Sequence, residues 1–383
     1  MTRIISIGTV RIGGGLPIVL QSMTATKTTD IERTAETCQR LSDAGAGIVR
    51  VAVDTQRDAE ALQAIRKRTT ANLSVDLQEN YRLAEIVAPF VDKIRYNPGH
   101  LHHAEPETPW QTKVTRIVEI ARQHECALRI GVNCGSLDPA IEDESRDSRD
   151  GADSGSFSGR DAVLRSRLPS SITIALNSAL QHAEFIDSLG FDRFCVSIKS
   201  SDPKAVLYAN RQFALQRPDI PLHLGLTEAG LPPMGIEKSR AALEPLLAEG
   251  VGDTLRVSLT VANDRKAEEI EAGLLILRNA AAGTILTDWQ PERVNIISCP
   301  SCARVENEQF VALAERVRDA VRSITTSLTI AVMGCRVNGP GETDHADIGL
   351  WCGKTAVNLK CGSTLIGTFG YDEVIGKMLE QIT

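Results

Sequence analysis

Cys299-Pro300-Ser301-Cys302 places two thiols three positions apart directly after a β-branched run. Cys335 follows a second such run, in a turn-rich stretch that holds Gly334, Gly339, Pro340 and Gly341. A C-x2-C pair alone suits zinc or a redox couple. Three thiolates, two of them at ligand spacing, suit a metal or an iron–sulfur cluster better. Spacing leaves the fourth ligand open: Cys352 and Cys361 lie in what reads as a hairpin strand, and Glu342 could supply an oxygen instead. The C-x3-C-x2-C pattern of radical S-adenosylmethionine enzymes is absent from the sequence.

A second set is cationic. Arg50, Arg95, Arg129, Lys199 and Arg256 each sit inside an otherwise apolar run. A charge in such a run costs several kcal/mol unless something pairs with it. Guanidiniums gathered at one mouth suit a phosphate-rich anion, because each can grip oxygens with two parallel donors. By two-residue alternation Asn97, Asn133 and Ser258 fall on the same side as Arg95, Arg129 and Arg256, as orienting hydrogen-bond partners. Asp76 and Glu228 are the acidic residues placed similarly. Glu228, at the C-terminal end of its strand, is the acid/base candidate.

The elements that must carry these residues alternate in kind. Candidate strands begin near Ile18, Ile48, Leu73, Lys93, Ala127, Arg193, Leu222 and Thr254, with helix-like patterns between them such as Ile31 to Ala44, Arg57 to Lys67 and Ile236 to Ala248. Eight strand–helix units predict a (β/α)8 TIM-type barrel over residues 1–283. The long interval between Ala127 and Arg193 holds a polar insertion near 140–170, expected as a disordered surface loop. A small α/β domain is expected over 292–383: the NIISCPSC run, a helix from Glu306 to Val321, the strand LTIAVMGC, a hairpin, and a last helix from Tyr371 to Ile382.

Composition narrows the classes. The chain has 383 residues, 42% hydrophobic and 24% charged, with a net charge of −7, which fits an enzyme-sized globular protein. That charge argues against a nucleic-acid or anionic-membrane surface. The odd count of nine cysteines argues against a fully paired disulfide framework. With no apolar leader and no membrane-length apolar run, a cytoplasmic location is expected.

The segments GIVRVAV, VDKIRYNPGH, LRIGVNCGSLD, GDTLRVSLT, SCPSCAR and GCRVNGPGE together resemble the 4-hydroxy-3-methylbut-2-en-1-yl diphosphate synthase family. The likeness runs from about Ile7 to the last helix. It implies reductive ring opening and dehydration of 2-C-methyl-D-erythritol 2,4-cyclodiphosphate in the non-mevalonate isoprenoid pathway, with ferredoxin or flavodoxin as electron donor. It also implies a [4Fe–4S] cluster on Cys299, Cys302, Cys335 and Glu342. Substrate contacts are implied for Arg50, Arg95, Arg129, Asn133, Lys199, Arg256 and Ser258, and a place near the reacting hydroxyl for Glu228. The family's bacterial members form head-to-tail homodimers, in which one chain's cluster domain caps the other's barrel. Two departures stand out: VDLQENY where the family commonly carries a histidine-containing stretch, and the polar insertion after strand five. A non-redox phosphate- or pterin-binding barrel with a zinc domain, and an inactive cluster-bearing redox sensor, are the alternatives.

Overall fold

A computed structural model of the chain describes residues 1–137, 170–290 and 294–382. The polar insertion near 140–170 lies almost wholly outside them.

The first element is one the sequence reading did not anticipate: an antiparallel hairpin of β1 (Ile5–Ile7) and β2 (Val10–Ile12). Its Ile5, Ile7 and Ile12 pack on Ile48, Ala127 and Cys195. Ile48 and Ala127 open their strands, so the hairpin stoppers the end of the barrel where the strands begin.

The barrel strands are β3 (Val19–Met23), β4 (Ile48–Val53), β5 (Leu73–Leu77), β6 (Lys93–Tyr96), β7 (Ala127–Asn133), β8 (Phe194–Lys199), β9 (His223–Leu224) and β10 (Thr254–Leu255). Each is followed by a helix: α1 (Ile31–Asp43), α2 (Gln56–Arg66), α3 (Ala84–Val87), α4 (Trp110–Gln123), α5 (Ser170–Ser188), α6 (Pro203–Gln216), α7 (Met234–Ala248) and α8 (Glu268–Ala282). All neighbouring strands pair in parallel, and β10 pairs with both β3 and β9. A parallel bridge between Val196 and Leu222 closes the ring.

Local chemistry starts the helices. Thr55 and Asp58 form a reciprocal capping box at α2, and Asp30 accepts from the Arg33 amide at α1. Along each strand the two-residue period sends alternate side chains to opposite faces. Leu128, Ile130 and Val132 of β7 join the core under the helices, which turns Arg129 and Asn133 inward. The same alternation turns Arg50, Asp76, Arg95 and Lys199 inward while Val51, Val75, Ile94 and Ile198 pack outward.

The C-terminal part builds a second core. Strands β11 (Val294–Ser298), β12 (Leu328–Met333) and β13 (Ile348–Cys352) are parallel, and β14 (Val357–Cys361) and β15 (Thr364–Phe369) add an antiparallel edge. Helices α9 (Gln309–Ala320), α10 (Gly339–His345) and α11 (Val374–Leu379) complete it. Phe310, Leu313, Val317, Ile330, Val332, Leu350 and Met378 form its centre. Helix α10 begins in what the sequence reading took for a glycine-rich turn, and the last helix is shorter than its expected Tyr371 to Ile382.

Inside the barrel Lys93 is fully buried, its Nζ donating to Gln21 Oε1 at 2.7 Å. Burial pulls its pKa down from 10.5 to about 7. Below pH 7 the side chain is charged in both folded and unfolded chains, and the full cost of burying the charge is felt. Between the two values the unfolded chain holds the proton that the folded chain has released, so stability rises with pH. Lys93→Met is expected to raise the urea midpoint most below pH 7 and to flatten this rise, as equilibrium unfolding across that window would show.

Candidate functional site

The cations that alternation turns inward meet at the end of the barrel where the strands finish. A cavity there is lined by Arg50, Arg95, Arg129, Lys199 and Arg256, with Asn133, Ser197 and Ser258 between them. All five cations are buried. Arg95 lies across β7 because Gly131 has no side chain: a Cβ there would stand 2.1 Å from Arg95 Nε. One Arg95 nitrogen donates to Asp76 Oδ1 at 2.6 Å and the other to the Gly131 carbonyl at 2.6 Å.

Among the described residues these cations outnumber the carboxylates that face them. Arg129 donates to Ser197 at 3.0 Å, yet among the described residues its Nε and Nη2 have no partner. Among the described residues Arg256 Nε and Nη2 likewise lack hydrogen bonds, and the Glu269 carboxylate stands 3.9 Å away. Burial, reinforced by Arg95 nearby, brings Arg129 down to about 9. Burial and the surrounding arginines also push Lys199 well below its ordinary value. Buried donors without acceptors beside crowded positive charge form a site built for an anion.

Asp76 is the exception to the crowding. Burial alone would raise it, but Arg95, Arg304 and Arg50 hold it well below the usual carboxylate range. Glu228 behaves in the opposite way. It is 2% exposed, it accepts from Asn338 Nδ2 at 2.9 Å, and burial pushes its pKa above the ordinary glutamate value. Its backbone is in the left-handed region at φ 49°, a conformation that a non-glycine residue adopts at a cost of order 1–3 kcal/mol and that recurs at functional sites.

The thiols arrive from above. Because β11 and β12 are adjacent and parallel, with Ser298 opposite Val332, the loops leaving both strands emerge side by side. This sets Cys335 within hydrogen-bonding reach of both Cys299 and Cys302. Cys299 Sγ also accepts from the Gly334 amide at 3.2 Å. The adjacent Cys299 sulfur, with burial, shifts Cys335 up to about 12 against a lowering contribution from Cys302, and contact with Cys335 and burial raise Cys302 well above its ordinary value. Thiols that oppose one another's ionisation in this way fit a soft cation that would hold them as thiolates. The three cysteines line the same cavity as the arginines, so thiols and cations share one chamber.

The cysteine loop is gripped by the barrel. Lys266 Nζ donates to the Pro300 carbonyl at 2.6 Å, and Lys27 Nζ to those of Ala303 and Val305 at 2.6 and 2.9 Å. Thr260 donates to the carbonyls of Ser298 and Cys299. Arg304 reaches down from the loop to Asp54 and Asp76. In this chain the C-terminal part therefore sits over its own barrel.

Two expected site residues are placed elsewhere. Strand β6 stops at Tyr96, so Asn97 no longer follows its alternation. Its Oδ1 accepts from the Gly99 amide at 3.2 Å and its Nδ2 donates to Ser136 at 3.0 Å, outside the cavity lining. Glu342, expected beside the thiols as both ligand and catalytic group, lies on α10 and accepts from Ser201 of the barrel at 3.1 Å. It lines a neighbouring cleft rather than the chamber of the cysteines. Burial and the nearby Glu228 raise it to about 8.

The sequence reading missed Arg304, Asn338 and Gln78. Arg304 and Asn338 were visible only as letters in SCPSCAR and GCRVNGPGE. Gln78, in the VDLQENY departure, accepts from Arg95 at 3.1 Å and meets Nδ1 of the buried His100 at 3.2 Å, so an imidazole reaches this rim from the loop after β6. Glu79, His100 and His103 bring ligand atoms within 4.8 Å of one another, but Arg336 stands 3.7 Å from Glu79, a poor setting for a cation. No described helix is long and apolar enough to cross a membrane.

Comparison with known proteins agrees along the whole chain. The GcpE TIM-barrel domain model matches residues 2–274, and the GcpE protein C-terminal domain model matches residues 295–383. A 4-hydroxy-3-methylbut-2-en-1-yl diphosphate synthase (flavodoxin) of Rhodopirellula baltica is 54% identical over 384 residues, covering 100% of this chain and 95% of that protein. Proteins of the same name from Nitratiruptor sp. (37% identical, covering 100% of this chain and 96% of the relative) and Acinetobacter baumannii (38%, covering 91% and 83%) are also similar. With both of its domains matched and a relative of this identity aligned end to end, the chain belongs to the GcpE family.

Proposed function

We propose that this chain converts 2-C-methyl-D-erythritol 2,4-cyclodiphosphate to (E)-4-hydroxy-3-methylbut-2-enyl diphosphate. The observation that carries the reading is the shared chamber, in which arginines with unpaired donors and the raised Glu228 face three cysteines. The name common to the relatives favours it over a zinc-holding phosphate-binding barrel. Two electrons and two protons enter; the cyclic diphosphate leaves as a linear diphosphate and one water.

The chain's own groups divide the work. Arg50, Arg95, Arg129, Lys199 and Arg256 bind the diphosphate, and Asn133 and Ser258 orient it. Their charges meet the negative charge that builds on the diphosphate oxygen as the ring opens. Glu228, its pKa raised by burial, gives a proton to the departing hydroxyl, while Asn338 holds that carboxyl in place. Cys299, Cys302 and Cys335 would hold a [4Fe–4S] cluster, which supplies electrons one at a time when bound. Glu342, whose Oε2 accepts from Ser201, would join them as fourth ligand. The donor is a flavodoxin, as in the relatives' names, or a ferredoxin. A head-to-tail homodimer would exchange between chains the contacts this chain makes with itself, and light scattering would report the doubled mass.

Phosphorus NMR of the cyclodiphosphate, incubated anaerobically with cluster-loaded protein and a chemical reductant, tests the reading. A linear diphosphate is expected; an unchanged ring with the cluster verified would refute it. Glu228→Gln is expected to lower kcat by roughly 10²–10⁴-fold. Because the protonated form acts, wild-type turnover falls as pH rises through the elevated Glu228 pKa, and the variant's residual rate shows no such fall. Cys335→Ser is expected to lose cluster absorbance together with bound iron and acid-labile sulfide. Arg129→Met removes a buried, half-satisfied cation, so the empty protein is expected to melt at a higher temperature. Its affinity for inorganic pyrophosphate should fall about 10–100-fold, as calorimetry would show.

A further inference from the structure

Asp76 stands between the anion chamber and the cysteine loop. Its Oδ1 accepts from Arg95 at 2.6 Å, its Oδ2 accepts from Arg304 Nη1 at 3.1 Å, and Arg50 Nη1 is 4.0 Å from the same oxygen. Arg304 belongs to the loop that carries Cys299 and Cys302. Its Nε and Nη2 fork onto Asp54 at 2.8 and 2.7 Å, and Nη2 also donates to the Asp76 carbonyl at 3.2 Å. The Arg304 side chain is 6% exposed.

Bringing Arg304 to this mouth adds another positive charge to a chamber that already holds Arg50, Arg95, Arg129, Lys199 and Arg256. With the chamber empty those cations repel it, and Asp54 and Asp76 offset the repulsion. A diphosphate in the chamber reverses the balance in two ways. Its negative charge attracts Arg304 across a short, poorly screened distance. It also takes over donors of Arg50 and Arg95 that now turn to Asp76, leaving that carboxylate to Arg304.

We propose that Arg304 is the positioning residue through which an occupied anion chamber holds the cysteine loop, and with it Cys302, on the barrel mouth. The inference rests on the chamber's binding a diphosphate, as proposed above. Linkage makes the effect reciprocal: a docked loop tightens anion binding by the factor by which the anion tightens docking. Lys27 and Lys266 act differently. They hold loop carbonyls, lie outside the chamber lining, and grip the loop whether or not an anion is present.

The test is hydrogen exchange of the 299–305 amides in cluster-loaded protein, with and without inorganic pyrophosphate, beside calorimetric pyrophosphate binding. In the wild type the anion is expected to slow exchange about tenfold, within the usual range of coupling between sites. Arg304→Gln is expected to bind pyrophosphate yet show less than twofold slowing, and Asp54→Asn, which leaves the chamber lining intact, should lose part of the slowing. Lys27→Met is the control: its loop should exchange faster in both states with the tenfold ratio preserved. Full slowing in a folded Arg304→Gln protein would overturn the proposal, as would pyrophosphate binding to the wild type without slowing. A wild type that does not bind pyrophosphate would instead sink the diphosphate reading, and this inference with it. Should Arg304→Gln fail to fold, Asp54→Asn with undiminished slowing would overturn the proposal alone.

Discussion

A surplus of buried positive charge at one end of the barrel is the constraint on which this protein depends. Arg129 and Arg256 hold guanidinium donors with no acceptor among the described residues, although each desolvated cation costs several kcal/mol. Such a site persists only where the surrounding scaffold is stable enough to carry it. An anion bound there, as proposed, would supply acceptors to those donors, and the stability forgone would return as binding and as stabilisation of charge during the reaction. Burial pushes Lys199 well below its ordinary pKa with help from Arg50 and Arg95, and those two arginines, with Arg304, hold Asp76 well below the usual carboxylate range against its own burial.

The barrel can carry this load because its strands are buried on both faces. Outward residues such as Val51, Val75, Ile130 and Val196 anchor each strand to the helices, and the inward positions are left free for chemistry. The N-terminal hairpin covers the opposite end with isoleucines, so the charged chamber opens one way only. Over that opening the C-terminal part approaches closely. A Cβ on Gly341 would stand 2.9 Å from the Gly135 carbonyl, and one on Gly135 would stand 3.0 Å from a Glu342 oxygen. Two glycines facing each other let α10 and the loop after β7 meet backbone to backbone, which brings Asn338 down to Glu228.

Legibility follows the range of the interactions. All eight barrel strands were readable, because β-branched runs and helical periodicity are local properties, and the inward direction of Arg50, Arg95, Arg129 and Lys199 follows from strand parity. Asn97 shows where parity stops: one residue past the end of β6 its side chain caps a turn instead. The β1–β2 hairpin escaped notice because three-residue strands carry too little pattern, and α10 because its Gly-Pro-Gly start reads as a turn.

The sequence by itself determined the barrel, the cationic set and the grouping of the thiols into two loops, since each depends on residue type and short spacing. Tertiary structure decided which carboxylate serves which cation, that Glu342 accepts from Ser201, and that Arg304 crosses from the cysteine loop to Asp54 and Asp76. Those partners lie 141, 250 and 228 residues apart in the chain. Only the docking of one core on another brings them within hydrogen-bond distance, and no local pattern records where a loop beyond a strand's end will point.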